Sequence, residues 1–202
     1  ARIRRFLLEA QITAQLDHPH IVPVYSLENT QAGLAYTMKR VQGQTFRELI
    51  DAAQTPQSEL QIMALTQRLE VFLAVCDALD YAHSRGVIHR ELEPNNLMIG
   101  HFHEVYVMDW GLARVLPDSP LEVRIPPELE QAEEDDSPLE GNLCYFSPEQ
   151  AAGQWAELDQ RSDLYVLGLI LYEWICLRPA RTGDSYLALL QMAEQGWVNP
   201  PS

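Results

Sequence analysis

Apolar side chains recur three to four positions apart between Arg5 and Leu16, at Phe6, Leu7, Ala10, Ile12 and Leu16 with Thr13 among them. That period predicts an amphipathic helix. Asp17-His18-Pro19 ends it, because proline disfavours helical backbone at the residue before it. Ile21 to Leu27 and Leu34 to Val41 read as two strands around the polar turn Asn29 to Gly33. A short helix follows at Thr45 to Ala53. Ser58-Glu59-Leu60-Gln61 has the form of a capping box and predicts the start of a long helix. Leu65, Leu69, Phe72, Cys76 and Leu79 would share one face of it, and Gly86 lies just past its end. Two short β segments, Leu97 to Ile99 and Val105 to Met108, are joined by Gly100-His101-Phe102-His103-Glu104. Ser162 to Leu177 is apolar nearly all round, the pattern of a buried central helix. Ser185 to Gln195 predicts a last amphipathic helix. No internal repeat is present.

Composition adds a class and removes others. Hydrophobic residues make up 47% of the 202 and charged residues 21%, the mixture of a chain that builds a core. Fourteen basic residues against twenty-nine acidic give a net charge of −15. Nucleic-acid binding is excluded on that balance, since phosphate contacts need clustered Lys and Arg; docking on anionic membranes is excluded likewise. Lys39 is the only lysine in the sequence. Cys76, Cys144 and Cys176 are far apart and odd in number, so they do not form a disulfide framework, which points to a reducing, cytoplasmic setting. The longest apolar run, Leu164 to Tyr172, is too short to span a bilayer, and no signal-peptide pattern opens the chain.

Charge is unevenly spread. Pro117 to Glu140 holds nine acids, one arginine and five prolines, a net −8. Such a stretch buries little apolar surface, and because helix-forming sequence resumes beyond it, it reads as an acidic insertion within one fold.

The chemistry concentrates in Val87 to Ile99, which contains His89-Arg90-Glu91-Leu92-Glu93-Pro94-Asn95-Asn96, and in Val107-Met108-Asp109-Trp110-Gly111. Both are loops at the edges of short strands. The amide oxygen of Asn96 and the carboxylate of Asp109 are hard oxygen donors of the kind Mg²⁺ prefers when it also carries phosphates. Loops so furnished suit metal-assisted phosphoryl transfer.

In these motifs the chain resembles the large lobe of a bacterial serine/threonine protein kinase. His89-Arg90-Glu91 stands where that family has His-Arg-Asp, Asn96 where it has a metal-binding Asn, and Asp109-Trp110-Gly111 where it has Asp-Phe-Gly. Ser147-Pro148-Glu149 matches Ala-Pro-Glu, and Asp163 to Gly168 the Asp and glycine of the central helix. Arg5 to Ala10 is similar to the regulatory helix, which makes Glu9 the partner of an ATP-contacting lysine. Met38 corresponds to the gatekeeper and Lys39-Arg40-Val41 to the hinge beside adenine. The resemblance implies an α+β fold, with residues 1–41 a partial small lobe (regulatory helix, two strands, hinge) and residues 42–202 a mainly helical large lobe carrying the acidic insertion at 117–140. It also implies ATP and Mg²⁺ as ligands, a protein substrate, and a structural role for His89 beneath the metal motif.

The departures fall on one network. The family's catalytic Asp is Glu91, its catalytic-loop Lys is Glu93, and the Thr that bridges them is Asn142. No glycine-rich loop occurs and no lysine precedes Glu9, so the sequence reads as a kinase-like core cut at both ends. If active, Glu91 would accept the substrate hydroxyl proton while Asn96 and Asp109 held Mg²⁺. The expectation is a weakened or lost phosphotransferase. A competing expectation is a non-catalytic module that recruits a basic partner through its acidic stretch. Within that stretch Glu133, Glu134, Asp135 and Asp136 offer charge to Arg90, against the plainer reading of a solvated tether. His18-Pro19-His20 and His101-Phe102-His103 lack the further ligands of a closed zinc site, and no cation flanks Cys144 to activate it.

Overall fold

The computed structural model describes residues 2–31, 33–55, 57–126 and 141–201. Helix α1 (Arg2–Gln15) buries Leu7, Ala10 and Ile12, as its period predicts. It packs on β1 (Val24–Thr30), which pairs antiparallel with β2 (Gly33–Met38). The hairpin closes at Thr30 opposite Gly33, tighter than the predicted turn. The first strand also begins later than expected: Ile21 makes only an isolated parallel bridge to Val107. Pro23 accounts for this, since proline has no N–H to give a ladder, and its carbonyl instead accepts from Lys39 N–H.

β3 (Gly43–Thr45) runs directly into α2 (Phe46–Ala52). Thr45 Oγ1 accepts from Glu48 N–H at 3.1 Å and Glu48 Oε2 accepts from Thr45 N–H at 2.8 Å, a reciprocal cap that satisfies two otherwise orphaned donors. The long helix is a correction. Ser58 caps only the single turn of α3 (Glu59–Ile62), because Gln61 turns back to Ala53 O instead of completing a box. The chain leaves helical geometry at Met63, and α4 (Leu65–Ser84) starts afresh with Gln67 Oε1 accepting from Ala64 N–H. Its buried face is therefore Phe72, Val75, Ala78, Leu79 and Ala82, with Cys76 half-buried; Leu65 and Leu69 are exposed.

Beyond Gly86 come β4 (Val87–Ile88), a 3-10 turn Pro94–Asn96, β5 (Leu97–Gly100), β6 (Val105–Val107) and β7 (Arg114–Val115). β3, β5 and β6 form one antiparallel sheet and β4 pairs with β7. A 3-10 turn at Leu143–Tyr145 leads to α5 (Pro148–Ala151), α6 (Gln160–Cys176) and α7 (Tyr186–Glu194). One hydrophobic core joins α1, α2, α4, the short strands and α6 through residues such as Ile12, Phe46, Leu79, Leu97 and Trp174, with Phe46 and Trp174 stacked at 4.2 Å. Helix α6 is central but not buried all round: Leu164 is 54% exposed. Among the described residues no helix is long and apolar enough to cross a membrane, and all three cysteines are free.

Candidate functional site

Asp163, on the first turn of α6 and 2% exposed, organises the loop after β4. Its carboxylate accepts from His89 N–H at 2.8 Å and Arg90 N–H at 3.0 Å, and lies 2.8 Å from His83 Nε2. These bonds hold Arg90 at φ +69°, a left-handed geometry that costs a non-glycine residue on the order of 1–3 kcal/mol. His89 is wholly buried. Its Nδ1 accepts from Glu91 N–H and its Nε2 faces Met108 O at 3.0 Å, a pattern that requires the neutral ring with its proton on Nε2. Burial holds its pKa below the ordinary imidazole value, against the pull of Asp163. The ring packs 4.6 Å from Trp110.

Glu91 and Glu93 line an open cleft together with Arg90, Gly141, Asn142 and Tyr145. Glu93 accepts from the amide of Asn95 at 2.9 Å and from that of Asn142 at 3.3 Å. Asn142 Oδ1 in turn accepts from Cys144 N–H. Positions 93 and 142 are thus bridged across the cleft by a carboxylate and an amide. Asn96 is buried, and its Nδ2 donates to Glu91 O at 2.8 Å, which turns its Oδ1 away from that carbonyl. Met108 N–H donates to Asn96 O, so the residue preceding Asp109 is tied to the strand start that carries Asn96.

Asp109 adopts φ +60° and its Oδ1 accepts from Gly111 N–H. A Cβ at Gly111 would sit 3.2 Å from Asp109 Oδ1 and 3.7 Å from Glu9 Oε2; the missing side chain lets the two carboxylates converge on one point. Glu9 is fixed there by Tyr36, whose hydroxyl donates to Glu9 Oε1 at 2.9 Å. Burial raises the Glu9 pKa, the Tyr36 bond lowers it, and the Asp109 charge raises it again. Trp110 is 1% exposed, and its indole N–H has no acceptor among the described residues.

The other sequence-predicted residues lie around this centre. Met38, at the end of β2, is 42% exposed. Lys39 donates to the Tyr106 hydroxyl with its ammonium 4.6 Å from that ring's centroid, and Val41 is half-buried in the linker to β3. Glu149 on α5 accepts from Ser162 Oγ, beside Asp163. Arg90 has its guanidinium 5.5 Å from the Trp155 ring centroid; the expected contact with Glu133 to Asp136 lies outside the described residues. Neither histidine pair belongs to a metal-binding group among those residues: His18 stacks on Tyr81 and His20 Nδ1 pairs with Val105 O.

Two features escaped the sequence reading. One is Tyr36, a strand residue without a distinguishing pattern. The other is a buried polar cluster behind the cleft, where Glu173 is fully buried and bonded to Arg47 Nη1 at 2.9 Å and to the Tyr145 hydroxyl, which also accepts from Arg47. A glutamate inside the apolar run of α6 was the available signal, since buried carboxylates are almost always paired.

Comparison with known proteins fits this geometry. The sequence profile described as protein kinase domain matches residues 2–195. The chain belongs to the protein kinase family. The kinase-like chain is 34% identical to the serine/threonine-protein kinase PknD of Protochlamydia amoebophila, over 98% of its own length and 21% of that protein. It is 38% identical to the probable serine/threonine-protein kinase PknB of Bifidobacterium longum, over 99% and 28%, and 33% identical to PknD of Chlamydia caviae, over 86% and 20%. It is thus a bacterial serine/threonine protein kinase-like chain with an α+β fold, spanning between a fifth and rather more than a quarter of these relatives.

Proposed function

We propose that this chain is the core of a serine/threonine protein kinase homologue whose phosphoryl transfer to protein hydroxyls is weakened or lost. The observation that carries the reading is the Glu93–Asn142 bridge: a carboxylate occupies the position of the family's phosphate-steadying lysine, and two amides secure it there. A unit-charge pair at roughly 4 Å is worth about 4 kcal/mol at an effective dielectric of 20, so inverting its sign beside phosphate opposes transfer. Glu91 adds a methylene to the base, and a displacement of about 1 Å costs on the order of 10²-fold in rate. The metal donors fit their role better. Asn96 has its amide nitrogen engaged and its oxygen turned the other way, and Asp109 contributes a carboxylate; these two would hold Mg²⁺, which when bound neutralises phosphate charge. Met38, Lys39 and Val41 would flank the adenine of ATP, at the boundary between a small-lobe remnant (1–41) and a large lobe (42–202). The setting in this reading is the cytoplasm. The net −8 of residues 117–140 favours, as a second reading, recruitment of a basic partner without catalysis.

The test is phosphate transfer from ATP to a protein substrate by the full-length protein and by its Glu91→Asp, Glu93→Lys, Asn142→Thr triple variant. The natural protein should run near background, and the triple variant at least about 10²-fold faster. Turnover at an ordinary kinase rate of about 1–100 s⁻¹ by the natural protein, or a triple variant that binds Mg-ATP without any gain, would sink the degraded-kinase reading; the latter outcome favours the recruiting module.

A further inference from the structure

Arg181, in the connection between α6 and α7, is 1% exposed, and no carboxylate pairs with it among the described residues. Arginine keeps its charge in a protein interior, and a charge buried without a counter-charge works against stability. What it supplies in return is a rigid planar fork of donors. Here the fork reaches three separate parts of the chain. Nε donates to Trp197 O at 3.0 Å, just past α7, and Nη1 donates to Phe146 O at 2.6 Å, at the end of the 3-10 turn. Nη2 donates to the Tyr165 hydroxyl on α6, whose ring centroid lies 5.4 Å from the guanidinium. The backbone beside it is stitched to the same tail: Asn199 N–H donates to Ala180 O at 2.8 Å, and the Asn199 amide donates to Pro179 O at 3.2 Å.

Phe146 is where this fork meets the cleft, which it lines together with Gly141 and Asn142. Gly141 takes φ +121°, and a Cβ on it would come within 2.9 Å of the Phe146 ring, so the ring closes directly over the Gly141 backbone. The turn between them bonds to itself: Tyr145 N–H donates to Asn142 O at 2.8 Å and Phe146 N–H to Leu143 O at 3.3 Å. We infer that Arg181 is a positioning residue for the cleft. By holding Phe146 O it sets the Phe146 ring over Gly141, and through Gly141 it sets the Asn142 amide against Glu93. Tyr145 anchors the middle of the same turn through Arg47 and Glu173, whereas Arg181 anchors its end. Leu143 and Phe146 pack there with Ala151 and Ala193 in a small apolar cluster separate from the main core, so the polar fork is what ties this end to α6. The arm to Trp197 O adds a coupling, because a shift of the tail after α7 reaches Asn142 through one guanidinium. The inference rests on the Glu93–Asn142 bridge as it stands and not on the loss of phosphotransfer, so either can fail without the other.

Residue-resolved hydrogen exchange and NMR of the full-length protein test this. Cys144 N–H donates to Asn142 Oδ1, so its exchange reads the Asn142 side chain, and Phe146 N–H reads the end of the turn. In Arg181→Met both amides should exchange about tenfold faster or more, because the turn then opens without breaking a bond to a charged donor. That acceleration should exceed any change at the buried Ala78 and Leu79 amides of α4, which report global unfolding. The Asn142 side-chain NH₂ resonance, displaced by its bond to Glu93, should move toward that of a free amide. Arg181→Lys keeps the charge but replaces the fork with a single ammonium, and it should accelerate the same two amides. A core cavity made by Leu79→Ala should speed exchange in α4 with no excess at Cys144 and Phe146. Equal acceleration everywhere in Arg181→Met, an unmoved Asn142 resonance, or natural exchange in Arg181→Lys overturns the inference. Arg181→Lys alone carries the comparison if the methionine variant does not fold.

Discussion

Asp163 shows how much one side chain can fix. Its two carboxylate oxygens take the backbone N–H groups of His89 and Arg90 and face His83, so one buried charge sets the loop bearing Glu91 and holds Arg90 in a conformation it would not adopt by itself. An asparagine there keeps the shape and loses one acceptor, leaving a buried donor facing an NH₂ group. Each such unsatisfied group costs roughly 1–3 kcal/mol. Asp163→Asn should therefore lower stability by about 3 kcal/mol, read as a fall in the urea midpoint at constant m-value. A loss below about 1 kcal/mol would mean that the loop holds its shape without the carboxylate. Asp163, Asn96 and Asp109 were legible in the sequence because their motifs have fixed spacing. The Tyr36 bond to Glu9 was not: it joins residues 27 apart through a hydroxyl, and nothing in a strand tyrosine announces its partner.

At the scale of elements, local signals succeeded where local chemistry decides. Thr45 and Glu48 cap α2 as a reciprocal pair, and Gly86 follows α4 at φ +69°. They failed where tertiary contacts compete. Ser58 to Gln61 has the letters of a capping box, yet Gln61 is drawn to Ala53 O and Arg68 to Leu60 O, which splits the expected helix and rotates its buried face away from Leu65. The solvent face of α6 was hidden for a similar reason, because an apolar run does not say which sides are covered. Two glycines expose the difference. A Cβ on Gly43 would lie 1.9 Å from Ile99 O, and one on Gly168, within α6, would have nothing within 4 Å. Gly43→Ala should disrupt the β3–β5 pairing and cost about 3 kcal/mol or more. Gly168→Ala should raise stability by about 0.5–1 kcal/mol, since an unencumbered helix interior prefers alanine. Thermal unfolding of both variants in the full-length protein checks this; a destabilised Gly168→Ala would show that another segment packs against that face of α6.

Over the whole molecule, acidic charge is in excess by fifteen, yet stability turns on a few carboxylates placed together. Glu9 and Asp109 meet at Gly111, with the Tyr36 hydroxyl donating to Glu9. Burial and the neighbouring charge raise the Glu9 pKa above 4.5, more than the tyrosine lowers it. The folded state therefore holds this proton more tightly than the unfolded chain. Its contribution is fully present below pH 4.5 and is lost as pH rises through the folded-state value. His89 has the opposite sign. Burial lowers its pKa from 6.5, so below that pH the unfolded chain takes up a proton that the folded protein refuses, and stability falls with pH. The two oppose each other between about pH 4.5 and 6.5, and the natural protein's stability profile there is the flatter for it. Glu9→Gln separates them, because glutamine keeps the acceptor for Tyr36 and removes the charge. The variant should be more stable than the natural protein at pH 7.5, and that advantage should shrink steadily as pH is lowered toward 4.5. Its own stability should then fall more steeply on acidification, with the His89 contribution no longer opposed. Urea midpoints measured across pH 4.5–7.5 decide it. An advantage that stays constant with pH would show that Glu9 titrates alike in both states, and that its place beside Asp109 costs the fold nothing.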